Sequence, residues 1–243
     1  MAKTHKPRIT TKASEYISLT AHQLKTPLSI IRWLLQSLSN SNSNLSAEQI
    51  NTINDITKEN DRMIQLIDLL LNINRIESGR IDLNPIPIEI NQFINKLIQD
   101  QIRIATLKKI GVSFIPTDKM TFSYFDPILV HNALSNILNN AIKYTPSGGK
   151  IKLIITCKNN GLILEIKDTG YGIPKEEQPK IFTRFYRAAN VLERDTEGAG
   201  LGLYLTKLII KASKGKVWFE SEEKKGTTFF VQLPKLEHPE LER

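Results

Sequence analysis

Two apolar seams constrain this chain most. Apolar residues recur in steps of four and three at Ile17, Ala21, Leu24, Leu28, Ile31, Leu35 and Leu38. That is the heptad spacing of a helix packed against other helices. A second seam runs through Ile53, Ile56, Asn60, Met63, Ile67 and Leu70. Between them, Ser39-Asn40-Ser41-Asn42-Ser43-Asn44 is a polar turn that cannot pack. Ser46-Ala47-Glu48-Gln49 reads as a capping box. The pattern predicts a helix over about 13–39, with residues 1–12 loose, and a second helix to about Ser78, with Gly79 just beyond its C-terminus. Pro27 should bend the first helix. Asn60 should fix register in the second at some cost in stability. Leu34, Ile64 and Leu71 flank the seams, so each helix is apolar on more than one stripe. Such a hairpin has too little core of its own. A four-helix bundle made by two copies of the chain, a homodimer, is the simplest solution.

After Gly79 the texture changes, and Asn84-Pro85-Ile86-Pro87 marks a boundary. The expected division is a basic segment over 1–12, a helical hairpin over 13–80, a second domain over 81–235 and a tail over 236–243. In the second domain, strands are expected at 86–90, 112–116, 121–125, 150–157, 162–167, 216–221 and 227–233. Helices are expected at 91–108, 127–144 and 201–213, around a long irregular stretch at 169–199. Asn159-Asn160-Gly161 should close a hairpin. The fold class expected is multidomain, α and then α+β, the second part a mixed sheet with helices on one face.

Composition narrows the function. No apolar run approaches the roughly 20 residues of a membrane span, and no signal peptide is visible. The single Cys157 excludes an internal disulfide or a cysteine-built metal site and suits a reducing compartment. A net charge of +8 suits an anionic ligand or partner. No nucleic-acid module is recognisable, so nucleic acid is not an expected partner.

Several stretches carry chemistry. His22 lies one position past Ala21, about 100° round the helix from the seam. Alone it reads as an ordinary surface histidine. Asn136, Asn140 and Lys143 share one face of the 127–144 helix, where amide oxygens suit Mg²⁺ and lysine suits phosphate. Alone they read as a polar solvent face. Asp168-Thr169-Gly170-Tyr171-Gly172 ends a strand, where the carboxylate can accept from an exocyclic amine. A plain Asp-x-Gly turn has the same residues. Phe182-Thr183-Arg184-Phe185-Tyr186-Arg187 sets two arginines beside aromatics. Gly198-Ala199-Gly200-Leu201-Gly202-Leu203 lets backbone approach phosphates just before a helix N-terminus. It is not a dinucleotide fingerprint, because charged Glu193-Arg194-Asp195 precedes it and the glycine spacing is wrong. No P-loop sequence occurs.

In order and spacing these motifs resemble the N, G1, F, G2 and G3 boxes of the sensor histidine kinases of two-component systems, with Gly226-Thr227 as the last. His22-Gln23-Leu24-Lys25-Thr26-Pro27 resembles the family's H box. The resemblance covers roughly residues 13–233. It implies a dimeric four-helix bundle followed by a Bergerat-type α/β sandwich of the gyrase and mismatch-repair superfamily. It implies ATP-dependent phosphorylation of His22 and transfer to an aspartate on the receiver domain of a response regulator. Residue by residue, it implies Mg²⁺ held by Asn136 and Asn140, phosphate met by Lys143, and Tyr144 bordering the nucleotide. Asp168 would read the adenine amine in a pocket shaped by Gly170 and Gly172, and Thr227 would also contact the nucleotide. Gly198, Gly200 and Gly202 would shape the lid and phosphate end, and Leu203 would also contact the nucleotide. Arg187, then Arg184, would meet the γ-phosphate. Thr26 matches the position that orients water for dephosphorylating the regulator.

One departure matters. The family carries an acidic residue directly after its histidine, and this chain has Gln23. An amide oxygen still accepts a ring N–H but brings no charge to stabilise imidazolium. Two alternatives stay open on the residues alone: a serine/threonine kinase or ATPase of the same nucleotide fold, and a non-catalytic nucleotide-binding dimeric scaffold. A cytoplasmic place is expected, either as a soluble kinase or as the cytoplasmic core of a longer sensor.

Overall fold

The computed structural model describes residues 9–40, 45–118, 121–158, 161–189 and 198–234, without the side chains of 9–18, 22 and 158. The expected basic segment up to residue 8, the tail over 236–243 and the Asn159-Asn160 turn lie outside the described residues. The chain divides into two compact units, Met1–Ile81 and Asp82–Arg243.

The first unit is a pair of helices, α1 (Ile9–Asn40) and α2 (Ala47–Glu77). Helix α1 begins earlier than expected, because nothing between Ile9 and Thr26 breaks a helix. It runs unbroken through Pro27, whose missing N–H removes the bond that the Gln23 carbonyl would accept. Helix α2 opens on the expected capping box. The Gln49 backbone N–H donates to Ser46 Oγ at 3.2 Å, and the Ser46 N–H donates to Gln49 Oε1 at 2.8 Å. It ends in a Schellman turn. Gly79 at φ +67° donates to the Ile76 carbonyl, and Arg80 donates to that of Arg75. The helices are antiparallel: Lys25 pairs with Asp68 at 2.6 Å and Arg32 with Asp61 at 3.3 Å, one number climbing as the other falls.

Each seam divides in two. Ala21, Ile53, Asn60 and Ile67 are buried between the helices, with Leu28 and Leu35 half-buried. The alternate positions Leu24, Ile31, Leu38, Ile56 and Met63 remain 40–51% exposed. A single hairpin therefore uses one apolar line and leaves another open.

The second unit is the α+β part. Its elements are β1 (Ile86–Glu89), α3 (Ile90–Leu107), β2 (Gly111–Ile115), β3 (Phe122–Phe125), α4 (Pro127–Tyr144), β4 (Lys150–Lys158), β5 (Gly161–Asp168), α5 (Gly202–Ala212), β6 (Lys216–Glu222) and β7 (Gly226–Leu233). A five-stranded mixed sheet runs β2-β4-β5-β7-β6, with β2 parallel to β4 and the other neighbours antiparallel. Strands β1 and β3 do not join it, as one continuous sheet would require, but pair only with each other. Pro87 suits a strand paired on one side only, since a residue without an N–H cannot sit in a central strand. Strict alternation sends Ile151, Leu153 and Ile155 of β4, Leu162, Leu164 and Ile166 of β5, and Phe229, Val231 and Leu233 of β7 into one core. Apolar residues of α3, α4 and α5, among them Leu97, Leu134, Ile137 and Ile209, complete it.

Asn60 is the weak point of the first unit. Its Nδ2 donates to the Leu28 carbonyl at 3.0 Å, while its buried Oδ1 has no hydrogen-bond partner among the described residues. Leu28 sits inside α1, so its carbonyl keeps a helical donor without the amide. We therefore expect Asn60→Leu to stabilise the hairpin by about 1 kcal/mol in urea denaturation. A loss of stability would mean that assembly gives Oδ1 a donor.

Candidate functional site

Strand β5 sets the site. Its core-facing residues are Leu162, Leu164, Ile166 and then Asp168, so a carboxylate takes the fourth place in an apolar stripe. Asp168 is 6% exposed. Its Oδ1 accepts from the Gly170 N–H at 2.8 Å and the Thr227 N–H at 3.1 Å. Burial raises its pKa from 3.8 to about 6, and the two backbone donors pull it only partly back. Thr227 is itself buried, its hydroxyl 2.8 Å from Ser221 Oγ. Gly170 must be glycine: a Cβ there would lie 2.5 Å from the Tyr144 carbonyl oxygen and 2.8 Å from Asp168 Oδ1. Gly172 backs onto the Glu222 carbonyl, and Tyr171 donates to the Tyr144 carbonyl at 3.2 Å. The Asp168 pocket is thus built on the last turn of α4.

That helix carries the predicted polar face. Asp126 caps it, accepting from the Ile128 and Leu129 N–H groups, and Pro127 occupies the first turn. Asn136, Asn140 and Lys143 are half-buried at the edge of its apolar face. The orientation of the Asn136 amide follows from its partner. Thr206 Oγ1 donates to the Ala133 carbonyl at 3.3 Å, so it accepts from Asn136 Nδ2 at 3.0 Å. Asn136 Oδ1 is left facing Gly202, where any Cβ would collide with it. A neutral amide oxygen on the same helix face as the half-buried Asn140 is the kind of hard donor a divalent cation accepts.

Helix α5 begins at Gly202 with no side-chain cap from Leu201, and Leu203 is half-buried in its first turn. Uncapped N–H groups at a helix N-terminus favour an anion. The 198–201 stretch is held by close backbone contact. Gly200, at φ +68°, would place a Cβ 2.7 Å from the Tyr186 carbonyl oxygen. Lys143 Nζ lies 3.8 Å from where a Gly198 Cβ would sit. Arg187 Nη1 donates to the Gly198 carbonyl at 3.1 Å.

The two arginines part company. Arg187 joins the Gly198 and Lys143 end, whereas Arg184 lies over the Tyr204 ring at 5.0 Å and donates to its hydroxyl at 3.3 Å. The aromatics also differ: Phe182 packs edge-on to Phe219 and Phe229, but Phe185 is 64% exposed at φ +60°. In the other unit, position 22 lies on α1, and the His22 side chain is outside the described residues. Gln23 and Thr26 are exposed on the same helix.

Sequence reasoning missed three residues here. Thr206, which fixes the Asn136 amide, lies four positions after Gly202 and so on the same face of α5. Glu177 accepts the Ala189 N–H with both carboxylate oxygens at 3.0 Å, anchoring the segment that bears Arg187. Lys108, at the end of α3, donates to carbonyls at the C-terminus of α4. Neither Glu177 nor Lys108 stands in a motif that spacing alone would single out.

Comparison with known proteins gives consistent matches. Residues 12–79 match the family described as the His Kinase A (phospho-acceptor) domain. Residues 125–237 match the histidine kinase-, DNA gyrase B- and HSP90-like ATPase. Sensor protein kinase WalK of Staphylococcus aureus is 30% identical over 236 residues, 95% of this chain and 38% of that protein. Sensor histidine kinase WalK of Bacillus subtilis is 31% identical over 244 residues, 98% of this chain and 39% of that protein. The chain thus spans about two fifths of the length of the curated relatives it matches. The crystal structure of full-length ShkA in complex with AMPPNP shares the fold at a TM-score of 0.80 and 24% identity, over 91% of this chain and 46% of that one.

The raised pKa of Asp168 has a direct consequence. Because the folded value exceeds the unfolded one, the contribution of this group to stability is complete below about pH 4 and is lost as pH rises through about 6. At ~1.4 kcal/mol per unit the loss approaches 3 kcal/mol. Asp168→Asn keeps an oxygen for the Gly170 and Thr227 donors and removes the ionisation. Without nucleotide, we expect the variant to gain on the parent between pH 4 and 7 in thermal denaturation. Parallel curves for the two proteins would contradict the assignment.

Proposed function

The chain belongs to the sensor histidine kinases of two-component systems, and on that premise we propose that it phosphorylates its own His22 from ATP and passes the phosphoryl group to an aspartate of a response-regulator receiver domain. The observation that carries this reading is the convergence, in a chain with a phospho-acceptor hairpin, of a buried carboxylate, an ammonium and an uncapped helix N-terminus. These are Asp168, Lys143 and the start of α5. They suit the three parts of a nucleotide: an amine-bearing base, phosphates and their charge.

In this proposal residues 13–80 are the dimerisation and phosphotransfer hairpin, and residues 81–235 bind ATP. Asp168 Oδ1 is taken by backbone donors, which leaves Oδ2 to accept from the adenine amine. Tyr144, Gly170, Gly172 and Thr227 border the base. Lys143 and the 198–203 backbone meet the phosphates, and Arg187 meets the γ-phosphate, with Arg184 held aside by Tyr204. Asn136 Oδ1 and Asn140 would hold Mg²⁺, which screens phosphate charge when bound. The protein's part is otherwise to position the phosphates and keep water from them.

The lone-pair nitrogen of neutral His22 forms the new N–P bond as the bond from the γ-phosphorus to the bridging oxygen breaks and ADP leaves. Gln23 accepts the hydrogen bond of the other ring N–H and so fixes the tautomer. Thr26 orients water for the reverse task, dephosphorylating the regulator. The open apolar line of the hairpin supports a second copy as partner. No helix among the described residues is long and apolar enough to cross a membrane. The proposed place is the cytoplasm, and relatives more than twice as long support a sensor segment elsewhere in the polypeptide.

Incubation with γ-labelled ATP and Mg²⁺ tests the reading. We expect an acid-labile, base-stable label on the protein that is absent from His22→Ala. An acid-stable label on substrate would support a serine/threonine kinase instead, and bound ATP with no label a scaffold. We further expect Gln23→Glu to label severalfold faster than the parent, since it restores a charge beside the imidazolium. An equal or slower rate would remove that role from Gln23.

A further inference from the structure

Helix α4 ends without the usual glycine. Thr145 follows it in extended conformation at φ −92° and ψ 128°, and Pro146 comes next, so no left-handed cap can form. Its last carbonyls still need donors. Ala141 receives the Thr145 N–H at 3.1 Å, and Tyr144 receives the Tyr171 N–H at 3.2 Å. The remainder fall to one side chain from another helix. Lys108 Nζ donates to the Ile142 and Lys143 carbonyls, each at 2.8 Å, and reaches that of Thr145 at 3.4 Å. The turn that bears Lys108 is tied to the same place. Gly148 donates to the Lys109 carbonyl at 3.1 Å, and Gly111 to that of Gly149 at 3.0 Å.

We infer that Lys108 is a positioning residue for the nucleotide phosphates: its ammonium neutralises the negative end of α4 under the site and holds the turn that carries Lys143 and Tyr144. The inference rests on the ATP-binding reading above. The physical need is plain. A helix C-terminus carries roughly half a negative charge, and the last turn of this one carries Lys143, whose ammonium reaches the Gly198 stretch where phosphates are to bind. A glycine cap would satisfy the carbonyls with neutral N–H groups and leave that field in place. An ammonium satisfies the same carbonyls and reverses its sign. Burial and the Lys143 charge both lower the Lys108 pKa, burial more, as expected of two cations set to serve one anion. Lys108 touches no substrate, and its effect travels through charge and through the α4 turn.

A purely structural cap and an electrostatic one differ in which ligands they affect. Binding of ATP, ADP and adenosine, each with Mg²⁺, is measured by displacement of a fluorescent ATP analogue from the full chain. For Lys108→Met we expect a loss of about tenfold for ATP, about threefold for ADP and under twofold for adenosine, the gradient following ligand charge. Lys108→Arg keeps charge and donors, and it should stay within about threefold of the parent for all three. A uniform loss across the ligands, or none, would overturn the inference while leaving the ATP-binding reading intact. Failure of the parent to bind ATP would overturn both. If Lys108→Met does not fold by circular dichroism, Lys108→Gln keeps a neutral donor and carries the same comparison.

Discussion

A carboxylate placed in an apolar stripe must be met by fixed donors or lose its charge, and much of the second unit is arranged around meeting Asp168. Its donors come from opposite directions: Gly170 from the turn after β5, and Thr227 from the start of β7. Gly170 in turn abuts the Tyr144 carbonyl, and Tyr171 donates to it. One buried anion therefore ties two neighbouring strands to the end of α4. The partial compensation is informative. Two backbone donors do not cancel the burial, so the group keeps an appetite for a further donor. A ligand amine bound there would supply one.

The proposed phosphate end follows a different rule, that of helix termini. The uncapped start of α5 presents N–H groups beside Asn136, and the end of α4, farther along the same helix, presents carbonyls. A bare carbonyl end would repel a phosphate bound nearby. The structure resolves this with cations. Lys108 covers the carbonyls, Lys143 lies near Gly198, and Arg187 is fixed to the Gly198 carbonyl.

Local rules read well from the sequence, and long-range pairings did not. The capping box at Ser46, the Schellman glycine at residue 79 and the proline start of α4 depend on neighbours within a few residues, and each is found where the residues predict. The Asn136, Asn140 and Lys143 face is equally local, because helix geometry alone aligns it. Separation of β1 and β3 from the main sheet depends on tertiary pairing, though Pro87 carried a hint. Thr206 and Lys108 act on residues seventy and thirty-odd positions away, and neither type is unusual where it stands. Asp168 was legible as a motif, yet its strongest mark was overlooked: the alternation of β5 sends it inward.

The hairpin shows how stability and reactivity are kept apart. Ala21 packs toward α2, and Leu24 lies on the open apolar line, 51% exposed. At about 100° per residue, position 22 is a quarter turn or more from the first and about 160° from the second. It falls on the flank of α1 that neither line uses. Leu24 and Ile31, on the open apolar line, lie off that flank. The missing helical bond at Pro27 falls on the Gln23 carbonyl, next to position 22, so the backbone loses one constraint beside the proposed phosphoacceptor. Apolar burial can thus hold the bundle together while local backbone freedom is left to the proposed chemistry.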